Sequence, residues 1–111
     1  MRSEFPNTNL AASTKTANIL AGDINEFVSV PSQVTIYGIS SASGVRMTVQ
    51  ASADTVVDDK EITAIGTSLL IPDHMRTQFF VGAGTRLALY LRETAGAATT
   101  DVPIAVDVDP I

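Results

Sequence analysis

Cysteine is missing from this chain, which rules out disulfide staples, thiolate nucleophiles and thiolate metal sites. Tryptophan is missing too, and aromatics make up only 5% of the residues, so Ala, Val, Ile and Thr supply the apolar mass. Lysine is scarce: Lys15 and Lys60 stand beside five scattered arginines (Arg2, Arg46, Arg76, Arg86 and Arg92). Acids outnumber them, giving a formal net charge of -5. A nucleic-acid binder needs a basic stripe that neutralises phosphates and releases counterions, so this balance argues against nucleic acid and against anionic membrane surfaces. No run approaches the roughly 18 apolar residues of a membrane span. The first residues lack the apolar core of a signal peptide, so synthesis and retention in the cytoplasm are expected.

Histidine occurs once. His74 follows Pro72-Asp73 in a turn-like stretch, and any Ser-His-Asp arrangement would have to use it. No nucleophile elbow accompanies it, and a lone loop histidine reads as structural or incidental, with a pH-sensitive interface contact as its residual use. Acids cluster at Asp54, Asp58, Asp59 and Glu61, and Asp107 and Asp109 share one strand face. Calcium asks for six to eight oxygens from a compact loop, often bent at a glycine. The first cluster has Lys60 in its midst and no glycine, and the second is what the solvent face of a terminal strand shows anyway. Paired carboxylates for sugar hydrolysis would need a deep pocket that a domain this small rarely encloses. Gly82-Ala83-Gly84-Thr85 lacks the lysine of a phosphate loop and reads as a hairpin turn. No metal, no cofactor and no catalytic residue are expected, and the chain is read as a non-enzyme.

What is present is alternation with period two. Leu87, Leu89 and Leu91 fall on one face of residues 86–93; Val102, Ile104, Val106 and Val108 on one face of 102–109; Val45, Met47, Val49 and Ala51 on one face of 45–52. Successive side chains of a strand point to opposite faces, so these are half-buried antiparallel strands. Residues 33–40 form another, with Val34 and Ile36 inward. Weaker strands are expected at 16–21, 26–30, 68–71 and 78–81. Residues 59–66 have the length for one helical turn, against which Thr63 and Ile65 argue weakly. Turns are expected at 22–23, 41–44, 72–73, 82–84 and 96–100, where Gly, Pro, Asp and Ser gather. Residues 1–14 are polar and aperiodic and read as an extended N-terminal arm. Residues 15–111 then form a single all-β domain, an antiparallel two-sheet β-sandwich of jelly-roll or Greek-key type with about eight short strands.

Surface apolar residues point to binding. Tyr37 and Ile39 make the outer face of the 33–40 strand apolar, and Leu20 extends that patch. One ring of Phe79-Phe80 must face outward, with Phe80 the candidate. Phe5 in the arm has no evident home, and Tyr90 faces outward on its strand. Exposed apolar surface on a small domain marks an interface. Tyr37 and Tyr90 are also the only platforms for stacking a sugar ring, so a carbohydrate- or host-surface-binding module is the rival reading.

Two stretches, ASADTVVD at 51–58 and GTRLALYLRETAGA at 84–97, resemble those of small head-decoration (capsid cement) proteins of tailed phages. The layout is similar over about residues 33–109. The resemblance implies a jelly-roll-like subunit, often trimeric, that binds the major capsid protein and stabilises the outside of an icosahedral head. Its partners would be capsid or other virion proteins and further copies of itself. A small tail or connector component would share the fold.

Overall fold

The computed structural model describes residues 1–64, 66 and 75–111, with the backbone alone at residue 101. Seven strands carry these residues: β1 (Arg2–Leu10), β2 (Ser32–Gly38), β3 (Val45–Ala51), β4 (Asp54–Glu61), β5 (Met75–Val81), β6 (Leu87–Glu93) and β7 (Thr99–Pro110). They form two antiparallel sheets, one ordered β1-β7-β2-β5 and the other β4-β3-β6.

The alternation places its apolar faces as expected. Val34, Ile36, Ile104 and Val106 from one sheet meet Val45, Met47, Val49, Leu87, Leu89 and Leu91 from the other, and all are fully buried. Each element is half apolar because each sheet has one face on the core and one on water. Ile62 packs beneath Gly38, where an added Cβ would stand 3.2 Å from the Ile104 Cδ1 atom.

An eighth position is filled without a regular strand. Residues 14–28 run along the outer edge of β6 and satisfy its backbone. The Glu93 N–H donates to Thr14 O and the Leu87 N–H to Glu26 O. Between them, the Leu91 N–H donates to Thr16 Oγ1 and the Leu89 N–H to Asn18 Oδ1. In return, Thr16, Ile19 and Val28 donate their N–H groups to the carbonyls of Leu91, Leu89 and Thr85. Two side-chain oxygens thus stand where strand carbonyls would be. Counting this segment as the second of eight, the sheets read 1-8-3-6 and 2-7-4-5, the order of a jelly roll built from two Greek keys.

Several expectations need correction. The N-terminal residues are no arm: Arg2–Leu10 is β1, paired to β7 with Ser3 opposite Val106 and Phe5 opposite Ile104. Its polar composition suits an edge strand, and Pro6, which has no N–H to offer, sits where the register shifts. No regular strand forms at 16–21 or 26–30; Phe27 makes only an isolated bridge with Arg86. Residues 59–61 lie in β4 and are not helical. The expected strand at 68–71, the turn at 72–73 and His74 lie outside the described residues. The other four turns each hold a glycine at positive φ (Gly22, Gly44, Gly84 and Gly96). At Gly44 the need is double, because a Cβ there would meet the Ala95 Cβ at 2.7 Å as well as a φ of +91°.

Candidate binding surface

The six residues singled out from the sequence do not form one patch. Leu20 and Ile39 are fully buried, so neither contributes to a surface. Leu20 turns inward because Asn18 Oδ1 accepts its N–H, an Asx turn that breaks the extended run on which outward exposure was argued. Ile39 lies one residue beyond β2. The chain has left the pleat there, its N–H donating to Pro103 O while Ser40 makes a parallel bridge to Ala64. Phe5 does have a home: it points inward on β1 and packs half-buried against the core.

Tyr37 and Tyr90 are half-buried on the outer faces of the two sheets, and a cation covers each ring. Arg2 stands 5.4 Å from the Tyr37 centroid and Lys15 stands 4.7 Å from the Tyr90 centroid. A sugar stacking on either ring would first have to displace that cation, which is held by the ring quadrupole. Phe80 is the candidate that stands clear. Phe79 faces Val34 and the core, while Phe80, opposite Gln33, points outward and is 69% exposed.

A cluster that sequence reasoning missed lies at one end of the sandwich. Met1, Ile24, Phe27, Val30 and Ile111 are five of the seven large apolar side chains exposed among the described residues. Residues Met1, Ile24, Phe27, Val28, Val30 and Pro110 line a cavity of about 280 Å³ there. The backbone explains the grouping. Val108 donates its N–H to Met1 O and Ile111 donates to Pro31 O, while the Gly84 N–H donates to Val28 O and the Val28 N–H to Thr85 O, which holds residues 24–30 in place. A buried polar knot fixes the same loop from below: Asn25 Nδ2 donates to Ser3 Oγ, which donates to Asp23 Oδ2 at 2.5 Å. The available sequence signal was the adjacency Phe27-Val28. Any extended pair of that kind must send one side chain outward, and here Val28 is buried and Phe27 is 63% exposed.

Several charged residues are engaged with one another. Asp59, at a positive φ of 50° in an irregular part of β4, takes both Arg92 and Arg46. The Arg92 guanidinium holds its carboxyl below the usual aspartate range, and Asp59 in turn raises Arg92. Glu26 is lowered by the Gly22 N–H and by Arg86, which also lies 6.0 Å over the Phe27 ring. Asp107 pairs with Arg2. Among the described residues, no group of three His, Cys, Asp or Glu side chains is placed to hold a metal ion. No family model matches the chain, and comparison with the curated proteins finds no match.

Proposed function

We propose that the chain is a non-catalytic structural subunit of a tailed-phage particle, docking as an oligomer on the outside of the capsid and stabilising it. The observation that carries this reading is the apolar end, where Ile24, Phe27 and Val30 are 66%, 63% and 45% exposed around one cavity. Such a surface on a small domain belongs to assembly with other proteins. The resemblance of residues 51–58 and 84–97 to head-decoration proteins supplies the kind of partner, the major capsid protein, and the jelly-roll order agrees with it. The subunit is made in the host cytoplasm and ends on the virion exterior. Contacts of roughly -4 kcal/mol each give only millimolar binding alone, but several held in one oligomer gain a further 10²–10⁴ in avidity.

The carbohydrate-binding reading is weaker, because both candidate platforms already carry a cation on the ring. Co-sedimentation with assembled, undecorated heads of the phage that encodes the chain tests the proposal. Saturable binding that raises the heads' resistance to heat is expected. Absence of binding, or binding to a glycan panel in its place, would sink it.

A further inference from the structure

The cavity at the apolar end has the size and chemistry of a side-chain socket. Its volume of about 280 Å³ falls just below the roughly 300–1,000 Å³ of small-molecule sites, whereas an apolar cavity of roughly 150 Å³ suffices to hold benzene. Its walls are mainly the apolar groups of Ile24, Phe27, Val28, Val30, Val108 and Pro110. One aromatic ring from another protein surface would fill it.

The same chain carries such a ring. Phe80 is the most exposed aromatic among the described residues, at 69%. It stands on the outer face of the four-stranded sheet rather than in the cavity wall. The charges flanking knob and socket are complementary. Across Gln33 from Phe80 lies Asp109, whose side chain is 64% exposed and whose ion-pair contact among the described residues is with the amine of Met1, 3.8 Å away at the socket's edge. Against the socket's Phe27 lies Arg86, whose side chain is 54% exposed beyond its contact with Glu26. A second copy presenting Phe80 to the socket therefore brings an acid toward a base, although each copy carries a net charge of -5.

We infer that Phe80 of one copy inserts into the socket formed by residues 24–30, Val108 and Pro110 of another, and that this contact builds the oligomer. The inference rests on the assembly reading above and gives that reading its copy-to-copy contact. Knob and socket are different parts of one surface, so the contact either pairs reciprocally in a dimer or runs head to tail around a closed ring.

Two variants separate the halves. Phe80→Ser removes the knob and leaves the socket; Ser29→Trp, at an exposed position in the socket wall, fills the socket and leaves the knob. Light scattering and sedimentation should show the full-length wild-type chain associating with rising concentration. Each variant alone should associate at least tenfold more weakly, with far-ultraviolet circular dichroism unchanged. Mixed in equal amounts, the two should regain association as a heterodimer, because one intact knob then meets one intact socket. Val30→Arg serves as the socket variant if Ser29→Trp does not fold. A wild-type chain that stays monomeric, a Phe80→Ser chain that associates like wild type, or a folded mixture that stays monomeric would each overturn the inference. Head binding is scored separately: monomeric wild type that still decorates heads refutes this contact and the oligomeric part of the capsid reading but not docking itself, and association without head binding refutes the capsid reading alone.

Discussion

Glu93 closes β6 on the buried side of its sheet, in phase with Leu87, Leu89 and Leu91, and is only 2% exposed. Its carboxylate survives there because four backbone N–H groups converge on it, from Ser13, Ala95, Gly96 and Ala97. Those donors, Ser13 first, hold its pKa below the ordinary glutamate value of 4.5. A folded pKa below the unfolded one means stability that is complete above about pH 4.5 and is lost as the pH falls through the folded value. Glu26 and Asp59 are shifted the same way and add to the same acid-side loss. Glu93→Gln should therefore lower the melting temperature at pH 7, since an amide turns donors toward donors. It should also flatten the fall in melting temperature between pH 5 and pH 3, and an equally steep fall in the variant would refute the assignment. The alternation of Leu87, Leu89 and Leu91, carried one step further, reaches residue 93 on the same face. The converging amides come from turns remote in sequence, so no local pattern announces them.

At the scale of elements, legibility followed the contrast between the two faces of each strand. β3, β6 and β7 were readable because one face is mainly apolar and the other is not. β4 was not, because it is an exposed edge with Val57 as its only buried residue. β1 was not, because Pro6 and its shifts in register leave no regular period. The segment beside β6 is the most instructive miss: it occupies a strand's place while Thr16 and Asn18 do with side chains what a strand does with carbonyls. Asn18 Oδ1 accepts from both Leu89 and Leu20, while its buried Nδ2 has no hydrogen-bond partner among the described residues. Asn18→Ala leaves two N–H groups without an acceptor, and it should destabilise the fold by about 1–3 kcal/mol in urea unfolding. Amide exchange should quicken first at Leu89 and Leu20. Uniform quickening across both sheets would mean that the segment opens only with the whole domain.

At the scale of the molecule, the sandwich was readable from strand number and alternation, whereas the surface was not. Of the six surface residues chosen from the sequence, two proved to be core and one lies half-packed against it. A linear pattern tells which side of a strand is apolar but not what lies over it. The apolar end is assembled from residues near both ends of the chain and from a loop between β1 and β2. Only the fold brings them together.

The pairing of β1 with β7 has a mechanical consequence. Arg2 lies opposite Asp107 and Leu10 opposite Thr99, so residues 1 and 111 emerge at the same end of an antiparallel pair. Tension applied between them loads the bonds of that pair one after another, as in opening a zip, rather than all at once in shear. Optical-tweezer extension from these two points should peel β1 away at low force before the rest yields, and a single high-force rupture would contradict the register. Under the proposed capsid role, load would have to pass through the faces of the subunit, because residues 1 and 111 are its weakest handles.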